Sequence, residues 1–291
     1  MMQDVAASIL VSGLVLGSLY AMMATGLTLV WSTLGIFNFA HGVFMTIGAY
    51  IAWQVGVAEA WSLGPALGLA VAAAVLAGVG CLVEMTLIRP FIGRRDQVMI
   101  CVITTLAAMT IIQNGVLLTW GPRLKQLPPL AAGTFDLLGV TISAHEAVIV
   151  ALAPATLLAL WLFLHRTRLG AAVRAVGQNP EAATLMGLNV RAVYALAFAL
   201  SAALAAAAGV LLGSIRFISP ELGAEPLVKA LIVAIFGGLG SIVGTIGGAY
   251  VIGLFEALST YFIGLYATPA VLFAAMIAVL MLRPTGLFGK R

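Results

Sequence analysis

The sequence predicts an all-α polytopic membrane protein, with about eight transmembrane helices and two short broken or re-entrant segments. Of its 291 residues, 63% are hydrophobic and 8% are charged, and the mean hydropathy is +1.15. Soluble domains carry roughly 25% charged residues, so this composition excludes a water-soluble protein. The apolar runs are long, whereas a membrane β-barrel would show short alternating strands. We therefore expect one transmembrane domain over residues 1–291.

The individual segments follow from the ~20 apolar residues that a spanning helix needs. The first segment is long enough to cross the membrane with a tilt, and 227–240 is too short to span by itself. In chain order the segments are 5–30, 35–42, 43–55, 61–83, 98–120, 147–164, 192–212, 227–240, 242–263 and 267–282.

The basic residues indicate the orientation of the helices. Ten of the fourteen Lys and Arg residues fall in places that alternating crossings put on one side. Lys and Arg concentrate in cytoplasmic loops, so the loop 166–191 and the C-terminus are predicted to be cytoplasmic and the N-terminus to face outward. The basic side holds Arg89, Arg94, Arg95, Arg166, Arg168, Arg174, Arg191, Arg283, Lys290 and Arg291, and the other side Asp4, Glu59, Arg123, Lys125, Asp136, Glu146, Arg216, Glu221, Glu225 and Lys229.

Two glycine-rich interruptions, 35–42 and 237–244, indicate where a transport path would lie. Each precedes a similar sequence, Thr46-Ile-Gly-Ala-Tyr50 and Thr245-Ile-Gly-Gly-Ala-Tyr250. Paired interruptions in two halves of a chain are typical of a midplane substrate path in transporters. We therefore predict a pseudo-repeat and take Thr46 and Thr245 as candidate path residues, although glycine-rich apolar sequence also produces such similarities by chance.

Three polar residues lie within apolar runs and require an explanation. Asn38 and His41 lie three positions apart in Asn38-Phe-Ala-His41-Gly42, and Glu256 lies inside the run 242–263. Unpartnered burial of such groups costs several kcal/mol. They either satisfy the loose backbone of a broken helix or line the translocation path. An enzyme built around His41 and Glu256 is a formal alternative, but the titratable groups are sparse, so we predict that the chain is not an enzyme and has no metal site.

The loop 166–191 is polar for long enough to stand clear of the membrane. It contains a short helix with both ends marked: Asn179 can cap it, Pro180 suits its first position, and Gly187 can end it. Glu181 complements the positive end of the helix. We expect this helix to expose a small apolar surface that fits a partner, and the alternative is a solvated connector with good local caps. That surface comprises Ala182, Ala183, Leu185 and Met186.

The loop sequence resembles a known motif. Glu181-Ala182-Ala183, three residues and then Gly187 resemble the EAA---G loop of ABC-importer permeases, although the later Ile-x-Leu-Pro of that pattern is absent. The stretch from Gly26 to Tyr50 around His41, the 229–256 segment and the tail Arg283-Pro-Thr-Gly-Leu-Phe-Gly289 extend the likeness over most of the chain. Together they are similar to the LivH-type permease subunits of branched-chain amino-acid ABC importers.

This resemblance implies a permease subunit that forms half of the translocation path and couples to ATPase subunits through 179–187. The implied partners are a related second permease, two cytoplasmic ATPases and an extracytoplasmic solute-binding protein, in the bacterial inner membrane and without nucleic acid. ATP and Mg would lie on the ATPases, and this chain would bind no cofactor. The cargo could instead be amides, urea or aromatic acids. An ion-coupled secondary transporter is a further alternative, since Glu256 could serve as the coupling carboxylate.

Overall fold

The computed structural model of the protein describes residues 2–58, 63–137, 140–283 and 285–288. Among these residues the regular elements are helices, apart from one hairpin of two four-residue strands. Glu59, the first two residues of the predicted span 61–83, and the basic residues Lys290 and Arg291 lie outside the described residues. The elements are α1 (Met2–Leu34), α2 (His41–Gly56), α3 (Pro65–Val83, continued by π and 3-10 turns to Phe91), α4 (Gln97–Trp120), β1 (Thr134–Leu137), β2 (Val140–Ser143), α5 (Ala144–Arg166), α6 (Arg168–Gln178), α7 (Pro180–Leu185), α8 (Val190–Ile215), α9 (Ala224–Gly237), α10 (Ile242–Ile263) and α11 (Thr268–Leu282).

The predicted class is confirmed by the length of the helices. Among the described residues, six helices are long and apolar enough to cross a membrane, and α11 is a shorter apolar helix. The helices α2 and α9 are similarly short, with 16 and 14 residues, so the total is compatible with about eight crossings that include two broken segments. The six long helices are Val5–Leu34, Pro65–Phe91, Gln97–Trp120, Ala144–Arg166, Val190–Ile215 and Ile242–Ile263.

The bundle has two distinct ends. At the end that we call the loop end, α6 and α7 lie beside the last residues of α1 and the first residues of α8. At the opposite end, the hairpin end, β1 and β2 lead into α5 near the first half of α1 and the last residues of α8. The helices α1 and α8 therefore run in opposite directions. Sequence analysis did not predict this hairpin, because the stretch before α5 is rich in proline and glycine.

Two helices, α2 and α9, begin inside the bundle. His41, the first residue of α2, reaches the carbonyl of Met23, eleven residues before the end of α1. Gly223, immediately before α9, donates its N–H to Thr46 on α2 at 3.0 Å. The chain therefore turns back into the interior after α1, and again after α8, before each short helix starts. The two starts meet, because the backbone of Gly42 touches that of Gly223 so closely that a Cβ at Gly223 would collide with the Gly42 carbonyl.

The two halves of the bundle are related by an inverted exchange. In this exchange α1, α2, α3 and α4 correspond to α8, α9, α10 and α11. The main contacts then occur in matching pairs. The contact of α1 with α10 matches that of α8 with α3, the contact of α1 with α9 matches that of α8 with α2, and the contact of α2 with α3 matches that of α9 with α10. Inverted repeats with broken helices are common in transporters. The predicted sequence similarity does not follow this exchange, because Thr46 lies on α2 and Thr245 on α10, which are not equivalent. The interruption that matches 35–40 is 216–223 instead.

Candidate functional site

The start of α2 is held by uncharged groups. Asn38 accepts the N–H of Ala40 through its side-chain oxygen at 3.1 Å, and its carbonyl accepts the N–H of His41 at 3.2 Å. His41 lies with Nε2 3.0 Å from the Met23 carbonyl and Nδ1 3.2 Å from the Ser201 hydroxyl. A carbonyl can only accept, so Nε2 carries the proton and Nδ1 accepts from Ser201. The imidazole thus ties α1, α2 and α8 together.

The two candidate threonines also bond between helices. Thr46 accepts the N–H of Gly223, and Thr245 lies 2.9 Å from Thr28, hydroxyl to hydroxyl. Both are fully buried, as are Asn38 and His41. These four candidate path residues therefore face other parts of the bundle in this structure, and the cavity described below is lined by other side chains.

Glu256 belongs to a chain of charged and polar groups that starts from α10. One carboxylate oxygen accepts the Tyr20 hydroxyl at 2.6 Å, and the other contacts Lys229 Nζ at 2.6 Å. Lys229 also lies 2.8 Å from a Glu225 oxygen, and the other Glu225 oxygen is 3.1 Å from Arg216. Glu256 and Lys229 are buried, whereas Glu225 and Arg216 are about half exposed. These linked side chains thus extend from the buried centre of the bundle to an opening at the hairpin end.

Sequence reasoning did not assign a site role to Tyr20, Arg216, Glu225 or Lys229. A signal was present, since Lys229 is a cation within an apolar segment, and such residues are usually paired. Its partner Glu256 is 27 residues away in the sequence. No spacing rule connects two residues that far apart on different helices, so only the packing of α9 on α10 reveals the pair.

A cavity of about 240 Å³ opens where this series of charged side chains reaches the hairpin end. Its walls come from α1, α5, α8 and α9, and they combine apolar side chains with charged ones. Glu146, which adds a second carboxylate to the lining beside Glu225, is fixed at the start of α5 by a bond from the Ser143 N–H at 3.0 Å. The lining residues used below are Leu16, Tyr20, Glu146, Arg216, Glu225 and Lys229.

The predicted short helix of the loop 166–191 is present as α7. The Asn179 side chain caps it by accepting the Ala182 N–H at 2.9 Å, Pro180 is its first residue, and Glu181 lies in its first turn. Gly187 follows with a φ of +83°, a conformation that favours glycine. We call residues 179–187 the coupling segment, after the role that the resemblance described above implies for them.

The coupling segment presents a smaller apolar surface than predicted. Leu185 and Met186 are 88% and 84% exposed, and Ala182 is exposed as well. The expectation that Ala183 is exposed was wrong, because its relative exposure is 4%. The six-residue helix packs one side against the bundle, and the Ala183 carbonyl accepts the Leu188 N–H at 3.1 Å.

A second helix, α6, was not predicted, and it anchors the coupling segment to the bundle. Its buried face consists of Gly170, Val173 and Val176. Gly170 lies directly against the backbone of α5, and Gly177 against the Ser32 carbonyl of α1, so that neither position has room for a Cβ. The coupling segment is therefore attached to α1, α5 and α8 by closely packed contacts.

Comparison with known proteins places the chain in a family. A family model described as "Branched-chain amino acid transport system / permease component" matches residues 9–282. The chain is 35% identical to the high-affinity branched-chain amino acid transport system permease protein LivH of Escherichia coli K12, over 96% of this chain and 94% of that protein. It is also 35% identical to the corresponding permease protein BraD of Pseudomonas aeruginosa, over 97% and 95% of the two chains.

A more distant relative carries the name of another cargo. The ribose import permease protein RbsC of Escherichia coli K12 is 29% identical, over 81% of this chain and 73% of that protein. No solved structure shows a significant match. Because the family model covers nearly the whole bundle, and the LivH and BraD relatives cover almost the full chain, this protein belongs to the family of permease components of branched-chain amino acid transport systems.

Proposed function

We propose that this chain is the membrane permease subunit of an ATP-driven ABC importer for branched-chain amino acids. The observation that carries the proposal is the 35% identity over 96% of the chain to a permease that is named for these substrates. The broken helices α2 and α9 support it, because discontinuous helices that meet inside the bundle are typical of transporters. The chain forms half of the translocation path, and a related second permease forms the other half.

The coupling segment docks on a cytoplasmic ATPase in this proposal. Leu185 and Met186 supply an exposed apolar contact, and their large exposed fractions suit a surface that a partner covers. Motion of the ATPase reaches the bundle through α6, whose glycine contacts on α1 and α5 leave little space to absorb displacement. ATP and Mg remain on two such ATPase subunits, and this chain carries out no catalysis and binds no cofactor.

The charge distribution supports an orientation in the bacterial inner membrane with the loop end on the cytoplasmic side. At the loop end, Arg89 and Arg191 line one groove with Pro180, Glu181 and Thr184 of the coupling segment. Arg166 ends α5 and Arg174 lies on α6 at the same end. Cytoplasmic loops are enriched in such residues, so the loop end faces the cytoplasm. A solute-binding protein then delivers substrate at the opposite, hairpin end, where β1 and β2 lie.

Reconstitution of the complex in proteoliposomes with its binding protein tests the proposal. We expect ATP-dependent uptake of leucine, isoleucine and valine, and a panel that includes urea, amides and aromatic amino acids tests the other cargoes. Uptake driven by an ion gradient without ATPase subunits would contradict the ABC assignment. It would favour the secondary transporter instead.

A second experiment tests the coupling segment. The double variant Leu185→Glu/Met186→Glu should abolish uptake and reduce co-purification of the ATPase, while membrane insertion is retained. These side chains are suitable because they are exposed, whereas a substitution at the buried Ala183 would disturb packing as well. Tyr266→Glu is the matched control for co-purification of the ATPase, since Tyr266 is 99% exposed and lies beyond α10 at the other end. Normal uptake by the double variant would contradict this docking site.

A further inference from the structure

We propose that the cavity at the hairpin end is a subsite for the zwitterionic head group of an amino acid on its way through this chain. The proposal rests on the function proposed above and adds to it the residues that bind the cargo. They are Arg216 for the carboxylate, Glu146 and Glu225 for the ammonium group, and the apolar wall with Leu16 for the side chain.

The size of the cavity suits a small occupant. At about 240 Å³ it is smaller than the ~300–1,000 Å³ pockets that hold drug-sized ligands. Its lining is largely apolar, with a few convergent charged groups from different helices. That combination is typical of a ligand site, where apolar walls provide contact area and polar groups fix the orientation.

The charges suit a ligand that carries both signs. Two cations, Arg216 and Lys229, and two carboxylates, Glu146 and Glu225, line the cavity, and Glu256 lies behind Lys229. A ligand with a single charge would use only one sign of this lining. A zwitterion places each of its charges opposite a counter-charge, which limits the cost of removing it from water.

Arg216 retains donors for a ligand carboxylate. The described contacts use one guanidinium nitrogen, Nη1, to Glu225, and guanidinium has five N–H donors that match a carboxylate in a fork. The side chain is 45% exposed and can therefore be reached from the cavity. Lys229, by contrast, is held between Glu225 and Glu256, so its charge is already matched and it acts as a positioning residue for Glu225.

The Arg216–Glu225 pair is also poorly suited to a purely structural role. Both side chains are about half exposed, and exposed ion pairs stabilise a fold only slightly. Glu225 is nevertheless held from two sides, by Arg216 and by Lys229. This arrangement fixes a carboxylate at the cavity wall and would orient an incoming ammonium group.

The test uses the full complex in proteoliposomes and compares variants of the cavity with matched controls. Arg216→Gln should lower leucine uptake by about tenfold or more through loss of the carboxylate contact, and Arg216→Lys should recover part of it. Arg123→Gln is the control, because Arg123 is an exposed basic residue at the same end but outside the cavity lining. Leu16→Trp should fill the cavity and reduce leucine uptake more than valine uptake. Leu14→Trp, two residues away and outside the lining, should change uptake by less than about twofold.

ATP hydrolysis that is stimulated by the loaded binding protein provides the second measurement. We expect it to stay within about twofold of wild type in all five variants, because the subsite holds cargo and does not dock a protein. The inference is overturned if both cavity variants transport leucine normally, or if each control falls with its cavity variant. It is also overturned if stimulation is lost together with uptake, since Arg216 would then dock the binding protein. Wild-type complex that transports no branched-chain amino acid would overturn the proposed function itself, so the two failures are distinguishable.

Discussion

The starts of α2 and α9 occupy equivalent positions in the inverted arrangement, yet they are built from different chemistry. At α2, Asn38 and His41 satisfy the backbone with neutral hydrogen bonds, and both are fully buried. At α9, Arg216, Glu225 and Lys229 form a chain of charges that ends at a cavity. The start of α2 is therefore buried within the bundle, whereas the charged groups at the start of α9 reach a cavity at the hairpin end.

The difference shows that a broken helix does not by itself create a binding site. Free backbone groups at the break must be satisfied, and neutral side chains suffice for that at α2. Charged groups at α9 exceed this requirement, and buried charges are costly unless they are paired. We therefore interpret α2 as the structural start and α9 as the functional one, and the variants below test this interpretation.

The largest loss of stability should come from breaking the buried ion pair at α9. Lys229→Met leaves Glu256 with Tyr20 as its remaining described partner, and removal of one member of a buried pair costs about 3–5 kcal/mol. The double variant Lys229→Met/Glu256→Met should recover most of that loss, because apolar replacement of a whole pair is often neutral. Unfolding of the purified chain in denaturing detergent measures both. Equal losses in the single and double variants would contradict the pairing.

The backbone contact between the start of α2 and the stretch before α9 should be nearly as sensitive to substitution. Gly223→Ala places a Cβ against the Gly42 carbonyl, and overpacking costs about 1–3 kcal/mol. The control is Gly115→Ala, a glycine in α4 with open space around it, where alanine should stabilise the helix by about 0.5–1 kcal/mol. Thermal unfolding in detergent distinguishes them. A tolerated Gly223→Ala would show that the two starts are further apart than described.

The neutral start at α2 should respond to loss of its imidazole. His41→Ala leaves the Met23 carbonyl and the Ser201 hydroxyl without this partner, which costs about 1–3 kcal/mol. His165→Ala, an exposed histidine at the end of α5, should change stability by no more than about 0.5 kcal/mol. If His41 acted on the cargo instead, uptake at low substrate concentration would fall in a variant such as His41→Gln that retains stability.

The smallest effect is expected at the rim of the cavity. Arg216→Gln removes a half-exposed ion pair and should lower the stability by no more than about 1 kcal/mol. Differential scanning calorimetry of the same preparations used for transport provides the comparison. A loss of stability as large as that of Lys229→Met would show that Arg216 and Glu225 are part of the same structural unit as the buried pair. That result would contradict the interpretation of the α9 start as functional and not structural.

The sequence was sufficient for features that depend on local chemistry. The long helices follow from continuous apolar runs, and α7 follows from Asn179, Pro180 and Gly187, each of which acts within its own turn. Glu256 was identified because a carboxylate in an apolar run is anomalous. The coupling, path and partner roles of these residues remain predictions.

Features that depend on packing could not be predicted in the same way. Ala183 appeared exposed because a six-residue helix has no periodicity that distinguishes its faces, and α6 was missed because its polar side obscured Val173 and Val176. The inverted exchange is carried by helix contacts, and the short similarity at Thr46 and Thr245 does not reflect it. Partners that are distant in sequence, such as Lys229 and Glu256, become evident only when α9 lies on α10.

A small bridge at the hairpin end has a mechanical consequence. The backbones of Lys125 and Ile218 exchange two hydrogen bonds, of 3.0 and 2.8 Å, between the surface connection after α4 and the re-entrant stretch before α9. Lys125 also places its ammonium group 3.9 Å from the centre of the Trp53 ring at the far end of α2. A displacement of the surface connection is therefore transmitted to the C-terminal end of α2 and to the stretch before α9 through the contacts of one residue, Lys125.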